Sequence, residues 1–239
     1  MRRLIRRPMR RMSRGVSLVE VLIGLALSLF VVLGALMMFG QFTGENRHLM
    51  RETRIVQDLR AASDLIARDL RRAGYWGDAT AGVWTSGMTS TPPINGYGRM
   101  AAAPCSSATL DQKTTSAASN AICYAVAADA DNTIATAEKY GFELDGGVIY
   151  AVLGGAAREA LTDPKTITIT DLVITPSSQV LSAADYCSKT CTSNCPEVVV
   201  REFEVLIKGT LPGDSSVSRF LRSNVRLRND YFSGSCPTS

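Results

Sequence analysis

The chain has few of the residues on which catalysis and metal binding usually depend. Its 239 residues include one histidine, His48. A Ser-His-Asp or Cys-His centre needs an imidazole beside its nucleophile, and structural zinc usually requires histidines or CxxC pairs. There is also no glycine-rich phosphate loop and no recognisable pair of catalytic carboxylates. The sequence therefore predicts neither an enzyme nor a bound metal or other cofactor.

Two stretches near the N terminus have an unusual distribution of charge. The first lacks acidic residues, and the second lacks charges of either sign. The first 15 residues contain no acid but seven arginines: Arg2, Arg3, Arg6, Arg7, Arg10, Arg11 and Arg14. No charge of either sign occurs from Val21 to Gly40, a run long enough to cross a bilayer as a helix. The arginines predict a cytoplasmic N terminus, with the rest of the chain on the outer side.

Beyond the arginine-rich stretch the chain is acidic. Residues 16–239 hold 19 basic against 22 acidic side chains, a net charge of −3, although the whole chain carries +4. The positive charge thus belongs to a terminal segment, and we expect no direct nucleic-acid binding by the rest of the chain.

Proline is absent from residues 9–91, so nothing in this interval forces a helix to end. After the apolar run, apolar side chains continue at steps of three, four or their sums, at Leu49, Val56, Leu59, Ile66 and Leu70. This spacing predicts one helix from Ser17 to Ala73 that is closed by Gly74. A membrane anchor followed by a separate helix is the alternative.

The second half of the chain has the pattern of strands. Residues 77–121 are rich in small and polar side chains and predict a long connecting region that is partly ordered at best. Strand patterns follow at Ala121–Ala127, Gly147–Leu153, Thr166–Thr175, Val198–Lys208 and Arg219–Leu227. Without helices between them, these favour an antiparallel sheet packed on the amphipathic half of the helix, an α+β fold. We expect a polar turn at residues 129–133, and Tyr75, Trp76 and Trp84 at the junction of helix and sheet.

All six cysteines lie beyond the apolar run, on the predicted outer side: Cys105, Cys123, Cys187, Cys191, Cys195 and Cys236. An even number there predicts up to three disulfides. We expect Cys105 to pair with Cys123 and close a loop rich in Ser, Thr and Ala. The other four pair in an order that the sequence leaves open. A metal or iron–sulfur site at Cys187, Cys191 and Cys195 is disfavoured because no histidine accompanies them.

One acid, Glu20, stands near the start of the apolar run, in the stretch RGVSLVE. This stretch resembles the class III leader of type IV prepilins. In that family an inner-membrane peptidase cuts after a glycine and N-methylates the new first residue, and the fifth mature residue is glutamate. The resemblance implies cleavage between Gly15 and Val16, N-methylation of Val16 and an assembly role for Glu20. Val16 departs from the phenylalanine that the family most often has.

The position of Glu20 has a physical explanation in such a protein. A lone carboxylate in lipid costs about 2.5–3.5 kcal/mol at a helix centre and less near its end. Cleavage creates an amine on Val16, and in a filament the Glu20 carboxylate of one subunit can pair with that amine on another. The alternative is an interfacial acid on a simple anchor.

A narrower resemblance involves DLIARDLRRAGYWGD at residues 64–78 and SNVRLRN at residues 223–229. Both resemble the PilW type of minor pilin. The resemblance implies the type IV pilin fold and a role in initiating and assembling type IV pili, with effects on twitching motility, adhesion and sometimes DNA uptake. Implied partners are the other minor pilins, the major pilin, the prepilin peptidase and the inner-membrane assembly platform, with a large tip adhesin as a further candidate.

The predicted organisation is a leader (1–15), a transmembrane half-helix (16–42), an amphipathic half-helix (43–76) and an extracytoplasmic β-domain (77–239). The implied location is the inner membrane, crossed once, before assembly and the pilus tip afterwards. A minor pseudopilin of type II secretion shares the leader and Glu20 and is the nearest rival. A membrane-anchored extracytoplasmic binding module is a rival from another class.

Overall fold

The computed structural model describes residues 15, 17–83, 92–110, 117–155 and 157–237. The chain forms two compact units, the first ending at Met50 and the second beginning at Arg51. The long helix α1 is Leu18–Arg71. The strands are β1 (Met100–Ala101), β2 (Ala121–Ala125), β3 (Lys139–Asp145), β4 (Val148–Leu153), β5 (Arg158–Ala160), β6 (Thr168–Ser182), β7 (Glu197–Leu211), β8 (Asp214–Arg226) and β9 (Tyr231–Ser233).

In the first unit α1 is apolar and exposed. The side chains from residue 18 to residue 42 are all exposed, and an 18-residue window of the helix has a mean hydropathy of 2.7. By length and composition this part of α1 can cross a membrane. Because so much apolar surface is unfavourable in water, it requires either lipid or other apolar helices around it.

In the second unit α1 is amphipathic. Its buried apolar side chains are Ile55, Leu59, Ala62, Ile66 and Leu70, whose spacing of three or four residues keeps them on one face. The predicted apolar face is corrected at two positions. Leu49 is 58% exposed because it precedes the second unit, and Ile55 takes the buried position expected for Val56, which is only partly buried.

The strands of the second unit form two antiparallel sheets. The first has the order β1-β2-β3-β4-β5, and the second has the order β6-β7-β8 with β9 paired to the start of β7. Ser119, which lies just before β2, forms an isolated bridge with Ile174 of β6, in which the N–H groups of the two residues donate to each other's carbonyls at 3.1 and 2.8 Å. One core contains residues of α1 and of both sheets, including Ile122, Phe142 and Phe203. The α+β, pilin-like fold is therefore confirmed, with two sheets where one was expected.

The described part of residues 77–121, which is 77–83, 92–110 and 117–121, contains regular structure. Gly96–Gly98 forms a single-turn 3-10 helix and β1 follows it. Tyr97 and Met100 are fully buried in this region. The turn is stable because the side chains of Asn95 and Asn132 accept hydrogen bonds from the backbone N–H groups of Tyr97 and Gly96 at 3.0 and 2.7 Å. In this described part, small and polar side chains supply hydrogen bonds to the backbone.

Candidate functional site

The leader cleavage site is only partly within the described residues. Gly15 is described and exposed, whereas residues 1–14 and Val16 lie outside the described set. Ser17 starts the helix, because its carbonyl accepts hydrogen bonds from the N–H groups of Glu20 and Val21 at 3.0 and 3.2 Å. Glu20 thus occupies the first turn of α1, where a negative charge interacts favourably with the helix dipole. Its side chain is exposed and forms no ion pair with any described residue.

The two segments that carry the PilW resemblance meet at the C-terminal end of α1. The Asn229 side chain donates to the carbonyls of Ala73 and Arg72 at 3.1 and 3.3 Å. The Arg228 N–H donates to the carbonyl of Arg71 at 3.1 Å. The last carbonyls of a helix have no partner within it, so residues 228–229 supply partners from the far end of the chain.

Gly74 turns the chain at this junction with φ +75°, a conformation that favours glycine. Its N–H donates to the carbonyl of Ala125 at 2.9 Å, and its carbonyl accepts from the Asn95 side chain at 2.9 Å. The helix end is thereby joined to β2 and to the 3-10 turn. The prediction of a terminating glycine at this position is confirmed, although Gly74 bonds to the sheet and not back to the helix.

Trp76 packs against Tyr97 and Ala125 beside this turn, as expected for the junction. Tyr75 is 49% exposed and does not share that packing, so this part of the prediction is wrong. Its backbone is held instead, since its carbonyl accepts from the Ala127 N–H at 3.0 Å. Trp84 lies outside the described residues.

Arg201, on β7, also contributes to the junction at the C-terminal end of α1. Its side chain is 2% exposed, and its guanidinium donates to the carbonyl of Gly98 and, at 2.9 Å, to that of Asn229. Burial lowers the pKa of Arg201 to about 10, against the opposing effects of Asp230 and Tyr231, so the side chain remains charged at neutral pH. Arg201 therefore links the 3-10 turn to residues 228–229, which cap α1.

Arg201 is not among the residues predicted for a site, although the sequence contains a usable signal for it. Val199, Arg201, Phe203 and Val205 alternate along β7, so all four face the same side of the sheet. The three apolar members are buried. A charged residue at an inward position of a strand predicts a buried hydrogen-bonded group.

A second polar site surrounds Glu138, next to the turn at residues 129–133. Glu138 is 3% exposed. Its two carboxylate oxygens accept from the N–H groups of Ala128 at 2.6 Å and Ala135 at 2.9 Å, and the Tyr97 hydroxyl lies 3.0 Å from both. Burial by itself raises the pKa of Glu138, but these hydrogen bonds outweigh it and hold the pKa below its ordinary value of 4.5. Burial and Glu138 raise the pKa of Tyr97, so its hydroxyl stays protonated and can donate.

We expect Glu138 to make the stability of the second unit depend on acid pH. Because its pKa is lowered on folding, the carboxylate stabilises the fold above pH 4.5, and this contribution is lost as the pH falls through the lower folded-state pKa. Glu138→Gln should lower the free energy of unfolding at pH 7 by about 1–3 kcal/mol and flatten its decrease with acid. Urea unfolding at a series of pH values measures both effects. Glu159→Gln, on an exposed carboxyl of β5, is the control, and an equal effect of the two variants would refute the role of Glu138.

The six cysteines form three disulfides: Cys105–Cys123, Cys187–Cys236 and Cys191–Cys195. The first has the expected partners, and the other two give the order that the sequence left open. In the chain-entropy model loops of 49, 18 and 4 residues correspond to about 4, 3 and 2 kcal/mol. Cys187–Cys236 therefore contributes most, and it fastens the C-terminal segment to the connection between β6 and β7.

Metal binding has no support in the described part of the chain. Across residues 17–83, 92–110, 117–155 and 157–237, no group of three His, Cys, Asp or Glu side chains is placed to hold a metal ion. His48 is exposed in the first unit.

A long apolar N-terminal helix followed by a disulfide-containing domain, in which its amphipathic end packs on antiparallel sheets, defines a pilin-like protein. The chain belongs to the family of prepilin peptidase-dependent protein B (PpdB), whose model matches residues 48–227. The match begins after the apolar run, so the leader pattern at residues 14–20 supports the same class independently. No curated protein and no solved structure matches the chain.

Proposed function

We propose that this chain is a minor pilin of the PilW type that takes part in the initiation and assembly of type IV pili as a member of the tip or priming complex. Twitching motility and adhesion are the processes that it would support. The observation that carries the proposal is Glu20 in the first turn of an exposed apolar helix, five residues after Gly15. Membership of a family that depends on prepilin peptidase supports the same class.

The proposed mechanism uses α1 in two environments. Before assembly the bilayer covers its apolar side chains, and after assembly the corresponding helices of other subunits cover them. The Glu20 carboxylate then pairs with the amine that cleavage creates on the first residue of another subunit. The pair supplies attraction at low dielectric and fixes the register between helices. No step in this function is catalytic.

The proposed partners follow from this mechanism. Prepilin peptidase would process the chain, an inner-membrane platform would extract it, and the other minor pilins and the major pilin would pack against α1. A large tip adhesin is a further proposed partner. The chain would cross the inner membrane once, with its second unit in the periplasm, and would occupy the pilus tip after assembly.

Cleavage of the leader by prepilin peptidase is the first test of the proposed class of protein. Mass spectrometry of the membrane-extracted protein should detect a mature chain that begins at N-methylated Val16. The same protein from cells without prepilin peptidase should retain residues 1–15. Retention of residues 1–15 in cells with an active peptidase would exclude both a pilin and a pseudopilin. Detection of the processed protein in sheared pili would then favour the pilin over the pseudopilin of type II secretion.

A further inference from the structure

Four of the six cysteines form two disulfides that are nested in the sequence. Cys191–Cys195 closes a loop of 4 residues, and this loop lies inside the 49-residue loop that Cys187–Cys236 closes. The third disulfide encloses no other cysteine. To form its native bond, Cys187 must therefore pass over the two cysteines that follow it in the sequence.

Chain entropy favours a different pairing before the protein has folded. The cost of closing a loop grows with its length, and a loop of 4 residues forms about 40 times more readily than a loop of 49 residues. Cys187 and Cys191 have the same spacing in CSKTCTSNC as the native partners Cys191 and Cys195. In the unfolded chain Cys191 is therefore expected to bond to Cys187 about as often as to Cys195.

An error at Cys191 leads to a second error. When Cys187 and Cys191 are joined, the thiols that remain are those of Cys195 and Cys236, and a bond between them completes an incorrect set. Both native disulfides are then missing, although no thiol is free. Further oxidation cannot correct such a chain, because correction requires existing disulfides to be broken and formed again.

The incorrect set is compatible with contacts of the folded protein. The Ser235 N–H donates to the carbonyl of Asn194 at 3.0 Å, so the chain beside Cys236 touches the chain beside Cys195. Gly234, with φ +74°, lies against the carbonyl of Cys195, where a Cβ would not fit. Because these two segments meet in the native fold, a bond between Cys195 and Cys236 does not prevent them from meeting. Folding therefore discriminates only weakly between the two sets of disulfides.

We propose that a thiol–disulfide isomerase on the outer side of the membrane is a folding partner of this chain and acts at its residues 187–195. The partner is defined by its chemistry, which is a reactive thiolate that attacks a disulfide and is regenerated at the end of the exchange. The proposal requires that these cysteines lie in an oxidising compartment. It does not depend on a role in pili.

The exchange proceeds in three steps. The isomerase thiolate attacks Sγ of Cys191 in the incorrect Cys187–Cys191 bond, and Cys187 leaves as a thiolate. The Cys187 thiolate attacks Sγ of Cys236, which forms Cys187–Cys236 and releases Cys195 as a thiolate. The Cys195 thiolate then attacks Sγ of Cys191 in the mixed disulfide, which forms Cys191–Cys195 and restores the isomerase thiolate. Two disulfides are broken and two are formed, so the exchange consumes neither an oxidant nor a reductant.

The exposure of the cysteines suits this reaction. Cys191 and Cys195 are half-buried, and residues 188–190 and 192–194 between the cysteines are exposed, so another protein can reach this segment. Cys236 is 5% exposed, and the completed Cys187–Cys236 bond is therefore protected at one of its sulfurs. The disulfide of the longer loop is thus retained once it has formed.

The test refolds the full-length chain. Reduced and denatured protein is diluted into detergent and a glutathione redox buffer, with or without a purified bacterial disulfide isomerase, and thiols are blocked at intervals. Trypsin cleaves after Lys189, which separates Cys187 from the peptide that contains Cys191 and Cys195. Mass spectrometry then distinguishes the native pairs, in which the Cys187 peptide is bonded to the Cys236 peptide alone, from the incorrect set, which joins all three peptides.

Two double variants separate the nested pairing from the loss of a disulfide. Cys191→Ser with Cys195→Ser removes the competing cysteines. Cys105→Ser with Cys123→Ser is the matched control, because it also removes one disulfide but keeps the four cysteines of the nested pairs.

Without the isomerase, about half of the unsubstituted chains should first carry the incorrect set, and the isomerase should raise the early yield of native pairs about twofold. The control variant should respond in the same way. Chains with Cys191→Ser and Cys195→Ser should form Cys187–Cys236 equally well with and without the isomerase. Equal early yields of the native pairs in the unsubstituted chain with and without the isomerase would overturn the proposal. An equal response of the two double variants would also overturn it.

Discussion

Glu20→Ala protein should be synthesised, cleaved and disulfide-bonded normally and yet be absent from sheared pili. The substitution removes a charge from the first turn of α1 and touches no residue of the second unit, so folding of that unit should not change. In the membrane the change removes an unfavourable buried acid. In a pilus it leaves the amine of a neighbouring subunit without its partner, which typically costs about 3–5 kcal/mol. Incorporation should therefore fall by about a hundredfold or more.

Immunoblots of sheared pili and of whole cells measure this effect, and pilus number should fall with it. Glu45→Ala is the matched control, because Glu45 is another exposed acid of α1 in the first unit but lies beyond the apolar run. That variant should enter pili normally. If Glu20→Ala protein enters pili at the unsubstituted level, charge pairing is wrong and Glu20 is an interfacial acid.

Arg201→Met should strongly destabilise the second unit. The carbonyls of Gly98 and Asn229 lose their donor, and an unsatisfied buried carbonyl costs about 1–3 kcal/mol. The desolvation of the guanidinium, which opposes folding, disappears with the side chain. Since two carbonyls are affected, we expect a net loss of about 2–4 kcal/mol and a fall in melting temperature of about 4–16 °C.

Thermal and urea unfolding of the full-length protein with intact disulfides measure this loss. Arg222→Met is the control, because the Arg222 side chain is 57% exposed and its contact with Glu204 is 3.4 Å long. Exposed pairs of this kind contribute about 0–1 kcal/mol. An equal effect of the two substitutions would mean that the link between the 3-10 turn and the C-terminal segment contributes little to stability.

The elements that could be predicted from the sequence are those with strong periodicity. α1 was predicted within two residues at each end, because its apolar run and its three-or-four spacing continue to Leu70 and Gly74 follows. Strands with alternating or continuous apolar residues, such as β2, β4 and β7, were also predicted. β3 and β5 were missed because they carry several charges, which the structure pairs across the sheet. Arg158 of β5 contacts Glu143 and Asp145 of β3 at 2.8 and 2.9 Å.

The polar contacts at the end of α1 could not be predicted, because they join residues far apart in the chain. Asn229 and Ala73 are 156 residues apart, and local propensity carries no information about such a pair. The motif resemblance marked both segments without indicating that they touch. Glu138 was missed for the same reason, since its burial depends on Tyr97, which is 41 residues away.

The separation along the sequence between Asn229 and the end of α1 also sets the order of events during synthesis. A ribosome adds about 5–20 residues per second, so the 156 residues from Ala73 to Asn229 take about 8–31 s to make. Throughout that interval the last carbonyls of α1 lack the Asn229 donor, and Cys187, once it is made, still lacks its disulfide partner Cys236. The second unit therefore completes its fold only when the C-terminal segment arrives. A chain that stops before residue 229 therefore remains open to proteolysis, because its second unit cannot complete its fold.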